Sequence, residues 1–256
     1  GGGLSAVAWR LPEGMDPRLT FAREDLAAES LRDVVVAARY AAPVRMRVTA
    51  GVAPLRDGPR ARGLAAELLF GAEVDVLERA AGGFAFVQAV RDGYVGYVPA
   101  GMLGEAGPAP THRVTAALSH LYGAAELKTA PLQPLPMNAR LVGRIAGEWL
   151  VTPEGWAVPA AHVAPLDAPA ADWVAAAEAF RGAPYLWGGN SALGVDCSGL
   201  LQEARAAAGL AFPRDTDLQA REGAAAPEDA PARGDLVFWR GHVGVMLDGA
   251  TLLHAN

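Results

Sequence analysis

A chain of 256 residues, 52% hydrophobic and 20% charged, is long enough for one or two domains and has the composition of a soluble globular protein. Its net charge of −6 argues against nucleic acid, a membrane surface or an anionic polymer as an electrostatic partner. No stretch approaches the roughly 20 apolar residues of a membrane span, and a single cysteine excludes an intrachain disulfide and suits a reducing compartment.

Residues 1–43 read as a helical or irregular lead-in. Gly1 to Arg10 lacks the charged start and long apolar segment of a secretory signal, and Leu26 to Tyr40 has helical composition without a defined apolar spacing. Residues 44–107 and 108–167 read as two small all-β units, with linkers at 104–110 and 166–169. Val48-Thr49-Ala50 opens the first and Tyr97-Val98-Pro99-Ala100-Gly101-Met102-Leu103 closes it. Val114-Thr115-Ala116 and Ala157-Val158-Pro159-Ala160-Ala161-His162-Val163 bracket the second in the same way. Between these ends lie short alternating runs such as Glu73-Val74-Asp75-Val76-Leu77, broken by Gly, Pro and Asp.

Residues 168–256 carry the chemistry. Tyr185 and Trp187 stand two apart in an extended segment and share a face that can wall a cleft, followed by the close-approach pair Gly188-Gly189. Helix formers run from Leu200 to Ala208, Gly209 stops them, and Asp196 caps the start, which places Cys197 at a helix N-terminus. There unsatisfied N–H groups and the helix dipole favour thiolate over thiol. A thiolate that transfers acyl groups needs a base, and the base needs an orienting partner. The segment from Gly241 to His254 reads as a β-hairpin around Asp248-Gly249. A two-residue loop sets His242 and His254 on opposite faces. A three-residue loop, Leu247 to Gly249 with Gly249 left-handed, sets them directly opposite each other on one face, and glycine in third place suits the latter.

The runs Pro184-Tyr185-Leu186-Trp187-Gly188-Gly189, Asp196-Cys197-Ser198-Gly199-Leu200, Arg233-Gly234-Asp235-Leu236-Val237-Phe238-Trp239, Gly241-His242-Val243-Gly244 and Leu253-His254-Ala255 occur in that order. Together, over about residues 172 to 256, they resemble the NlpC-type family of bacterial cell-wall cysteine peptidases. The resemblance implies a papain-like α+β domain cleaving the bond between γ-D-glutamate and a diamino acid in peptidoglycan peptides. It makes Cys197 the nucleophile, His242 the general base and His254 the orienting member. The N–H of Cys197 is an oxyanion donor, and the second donor stays open.

The pattern Gly93-Tyr94-Val95-Gly96-Tyr97-Val98-Pro99 resembles bacterial SH3-like domains, and the second unit matches less well because Ala125 to Met137 is interrupted by proline. Asp16-Pro17-Arg18-Leu19 resembles the lead-in of a dipeptidyl-peptidase-like subgroup of the same family. The whole implies an α+β protein: a papain-like domain preceded by two SH3-like barrels. That subgroup recognises the free N-terminal L-alanine of released muropeptides, which implies a cytoplasmic, monomeric recycling enzyme without cofactor or metal. On this resemblance Tyr94, Glu67, Asp196 and Ser198 hold the substrate's amino end, with Tyr185, Trp187 and Thr216 as walls. Asp196 then has two candidate jobs, helix cap and ammonium partner. Family members continue through further strands past the position of Asn256, so the catalytic unit is expected to be truncated there.

Three other readings stand beside this one. A secreted wall-lytic amidase or endopeptidase would use the SH3-like units as wall anchors. A binding protein without activity would keep the cleft alone. A zinc site at Cys197, His242 and His254 has the right ligand types but no carboxylate or second-cysteine motif.

Overall fold

The computed structural model describes residues 9–80 and 82–256; residues 1–8 of the expected lead-in lie outside the described residues. The first β unit is a five-stranded antiparallel sheet in the order Leu103–Glu105, Val44–Val48, Glu73–Arg79, Phe84–Ala89, Val95–Pro99, covered by the hairpin Val52–Leu55 with Ala66–Leu69. Strand alternation sends Met46, Val48, Val74, Val76, Ala85, Val87 and Val98 inward as one core.

The second unit repeats the plan. Its sheet runs Pro131–Pro136, Leu118–Tyr122, Ala157–Pro159, Trp149–Val151, Arg144–Ala146, and His112–Val114 lies between Arg140–Leu141 and Val163–Pro165. The repeated closing segments form the same structure twice: a short 3-10 turn, Ala100–Met102 or Ala160–His162, leads into the last strand of its unit.

The lead-in corrects its sequence reading. Leu26–Ala28 is a strand, antiparallel to Ala22–Arg23 and parallel to Tyr40–Ala41, and the helical content between them is one 3-10 turn, Glu29–Leu31. Propensity loses here to burial: Phe21, Leu26 and Ala28 pack against Leu77 and Phe86 of the first unit.

The last unit holds α1 (Trp173–Glu178), α2 (Cys197–Ala207), α3 (Thr216–Gln219) and the antiparallel sheet Leu236–Trp239, His242–Met246, Leu252–Leu253. Leu200, Leu201 and Ala204 of α2 pack on Val174 and Ala177 of α1 and on Val243 and Val245 of the sheet. Helix α2 ends where expected, with Gly209 at φ +73°.

Leu201 is fully buried in this core. Leu201→Ala is expected to cost about 2–5 kcal/mol of stability, read as a lowered denaturant midpoint, because the surrounding elements cannot collapse onto the space.

Candidate active site

The start of α2 is fixed by one carboxylate. Asp196 Oδ1 accepts from the N–H of Gly199 at 2.8 Å, which caps the helix, and Oδ2 accepts from the N–H of Gly188 at 2.8 Å. Both oxygens also accept from Arg214, each at 3.0 Å, and Arg214 further donates to Ser198 Oγ at 2.9 Å and Asn190 Oδ1 at 2.9 Å. Arg214 is 1% exposed and Asp196 7%. The cap reading of Asp196 therefore holds, and its carboxylate is already engaged by four donor groups. The backbone of Gly189 lies directly on the helix start: a Cβ on Gly199 would come 2.2 Å from the Gly189 carbonyl oxygen, so any larger residue there pushes the turn that carries Cys197 away. Gln219 of α3 donates to the carbonyl of Ser198 at 2.9 Å, which ties Thr216 to the same corner, and the Cys197 thiol meets the Thr216 hydroxyl at 3.7 Å.

The histidines share a face, but their register differs from the expected one. Val245 pairs with Leu253 and Met246 with Leu252, and Leu247 N–H donates to Thr251 O at 2.8 Å, so the loop is Asp248 to Ala250. Continued, this pairing puts His254 across from Gly244 instead of His242. The cause is Asp248, whose carboxylate accepts from the N–H groups of Ala250 and Thr251 at 2.8 and 2.7 Å and sets the turn, while Gly249 does not take a positive φ. A shift of two keeps the parity, so the rings still meet diagonally. His242 Nε2 and His254 Nδ1 are 2.9 Å apart with the rings edge to face, and Trp239 packs 4.9 Å from the His242 ring. Gly244 makes the diagonal possible, since a Cβ there would lie 3.2 Å from that of His254. Burial, and then the charge of His254, hold His242 below the ordinary histidine range.

A cleft of about 610 Å³ collects Cys197, Asp196, Ser198, Thr216, Tyr185, Trp187 and Tyr94. Trp239 and Gly241 form its wall on the histidine side. The Trp239 ring lies 4.9 Å from that of His242 and 6.1 Å from that of His254, neither histidine is among the cleft's lining residues, and the thiol's hydrogen-bond partner is Thr216 and not an imidazole. Such contacts are commonly loose without substrate and tighten in the reacting complex. Tyr94 donates from its hydroxyl to Asp215 at 2.8 Å, and burial followed by the Asp215 charge pushes its phenol upward.

Glu67 departs from its expected place. It is not among the cleft's lining residues; its carboxylate accepts from the Asn190 N–H at 2.8 Å, its own N–H donates to Asn190 Oδ1 at 3.1 Å, and burial raises its pKa. The reason is position in the hairpin: Glu67 pairs with Pro54 and meets the Asn190–Ser191 strand, whereas Asp57, beyond the end of that hairpin, lines the cleft. The sequence reading also missed Arg18. Its guanidinium joins Asp16, Asp215 and Asp217 at 2.7 to 2.9 Å, bringing the lead-in to the cleft wall. Arg214 carried no local signal either, because its partners lie 16 to 25 residues away in the chain. Among the described residues no cluster of three or more His, Cys, Asp or Glu could hold a metal ion.

Asp196→Ala is expected to cost about 3–5 kcal/mol by leaving Arg214 buried and unpaired, and adding Arg214→Met to recover part of that loss; denaturant unfolding of both variants and the double variant measures the coupling.

Residues 182–256 match the NlpC/P60 family, and residues 55–103 match the bacterial dipeptidyl-peptidase Sh3 domain. The chain is 35% identical over 146 residues to a γ-D-glutamyl-L-lysine dipeptidyl-peptidase of Bacillus subtilis (strain 168), covering 52% of this chain and 48% of that one. It is 36% identical over 86 residues to a bifunctional muramidase/DL-endopeptidase of the same organism, covering 30% and 26%. The chain thus spans about half or less of the length of these curated relatives. In fold it is similar to an NlpC/P60 family protein from Bacillus cereus ATCC 10987, with a TM-score of 0.71 at 21% identity over 82% of this chain and 90% of that one. The expected α+β class stands, and the chain carries an NlpC/P60 domain behind a bacterial dipeptidyl-peptidase SH3 domain.

Proposed function

We propose that this protein is a cysteine peptidase that hydrolyses the γ-D-glutamyl–diamino acid amide bond of peptidoglycan-derived peptides carrying a free N-terminal L-alanine. The observation that carries the reading is the cleft itself: a cysteine at a capped helix start opens into a space closed on one side by Tyr94 and Asp57 of the first β unit. With Nε2 of His242 occupied by His254, Nδ1 is the nitrogen that takes the thiol proton. The thiolate attacks the amide carbonyl, and the tetrahedral oxyanion meets the N–H of Cys197. The C–N bond breaks as His242 returns the proton to the leaving amine. Water, deprotonated by His242, then attacks the thioester, and the sulfur leaves and regains its proton.

Selection of a free amine has support in the charges of the cleft. Asp57, Asp196, Asp215 and Asp217 line it; Arg214 offsets Asp196 and Arg18 is shared between Asp215 and Asp217, so the acids still outnumber the cations and a substrate ammonium enters a negative field. An acylated amine would forfeit a charge-assisted hydrogen bond and leave acceptors dry. Docking of the first β unit by Tyr94–Asp215 and Glu67–Asn190 bonds favours cleft closure over wall anchoring as its role. The net charge of −6 and the lone cysteine suit recycling of released peptides in the cytoplasm.

The test is digestion of L-Ala-γ-D-Glu-diaminopimelate, its N-acetyl form and intact sacculi. The free peptide is expected to be cut, acetylation to lower kcat/KM by about 10- to 100-fold, and Cys197→Ala to abolish turnover while preserving binding. Equal rates on sacculi would replace this reading with wall lysis. Because His242 must be neutral to act and its pKa is lowered, the acid limb of the kcat/KM profile is expected below the ordinary histidine value of about 6.5.

A further inference from the structure

A second cavity of about 320 Å³ lies where the two β units and the NlpC/P60 domain meet, and it shares no lining residue with the cleft. Its apolar walls include Leu68 and Val90 from the first unit and Leu210 and Phe212 from the last; the second unit contributes Arg113 and Arg140. These two arginines are direct cross-strand partners, His112–Val114 pairing with Arg140–Leu141, so their side chains leave the same face of the pair, Arg113 buried and Arg140 exposed. Two cations on one face favour a negative charge between them.

No carboxylate of the described residues supplies that charge. Two arginines are buried among the described residues, Arg214 and Arg113. Arg214 has Asp196, whereas Arg113, 7% exposed, makes one side-chain hydrogen bond, from Nη2 to the Ala168 carbonyl at 3.2 Å, and no ion pair. Glu73, the one acid on the cavity wall, is engaged by Arg47 at 3.4 Å and Arg45 at 3.8 Å. Arg91 is likewise committed, to Glu203 at 2.7 Å. A guanidinium held out of water without a counter-charge is costly, and its remaining donors form a fork matched to oxyanions. Burial lowers the pKa of Arg113 with no acid offsetting it.

We propose that this junction cavity binds a small organic acid, its oxyanion head held by Arg113 and Arg140 and a short apolar tail resting on Leu210 and Phe212. A carboxylate and a phosphate monoester share this chemistry. The inference is independent of the peptidase reading, because binding to the resting protein needs no turnover.

Calorimetry on the full chain with hexanoate, hexyl phosphate and hexylamine tests it. At least one of the two anions is expected to bind saturably at concentrations up to about 10 mM, and the tighter of them identifies the head group; hexylamine is expected not to bind. Arg113→Met removes the charge but keeps the stem, and is expected to weaken anion binding at least about 10-fold without lowering the unliganded melting temperature. Leu210→Trp fills the apolar end with Arg113 intact and is expected to weaken binding as well, which preserves the test should Arg113→Met fold poorly. Absence of binding by both anions, equal binding of hexylamine, or binding that survives in either folded variant overturns the proposal.

Discussion

Glu203 sits on α2 with no access to water, and a carboxylate in that position needs hydrogen-bond donors on every side. They come from three parts of the chain: Arg91 of the first β unit at 2.7 Å, Asn138 of the second at 2.8 Å, and Asn190 of the NlpC/P60 domain at 2.9 Å. Gln202 beside it bonds to Arg91, Asp92 and Asn190. Docking of the units and satisfaction of one buried charge are thus the same problem. Because Cys197 begins the same helix, the pose of its thiol depends on the β units as well as on its own domain.

The chain of bonds continues into the site. Asn190 links Glu203 and Gln202 to Arg214, Arg214 holds Asp196, and Asp196 caps the helix and fixes the Gly188 backbone. A network of this kind is rigid when complete and costly when broken, so it fixes the position of the Cys197 thiol. The Thr216 corner is tied to the same helix start through Gln219, which is fully buried. The opposite wall is held differently, by a three-stranded sheet whose Trp239 lines the cleft and packs against the ring of His242. The first β unit adds Tyr94, and the lead-in adds Arg18, so residues distant in sequence close the end of the cleft away from the sheet.

Two arginine environments show how much context decides. Arg214 and Arg113 are both withdrawn from solvent, yet one organises a helix start through Asp196 and the other lines a cavity beside its cross-strand partner Arg140. The first is a completed pair, whose value is that of a fixed joint. The second has unfilled donors, the condition in which a protein gains from a bound anion.

Features whose cause is local were legible from the residues. Asp196 ahead of a helix-forming run with Gly209 behind it dictates a capped helix beginning at Cys197, because caps and stops act over a single turn. The shared face of His242 and His254 was legible only through the length of the loop, and for a reason the structure does not show, since Gly249 has no positive φ. Their register was not, because it turned on which backbone groups the Asp248 carboxylate captured. The strand at Leu26–Ala28, the diversion of Glu67 to Asn190 and the burial of Arg214 and Arg113 lay further out of reach. Each follows from contacts between segments tens to more than a hundred residues apart, and such contacts exist only after the chain has closed on itself.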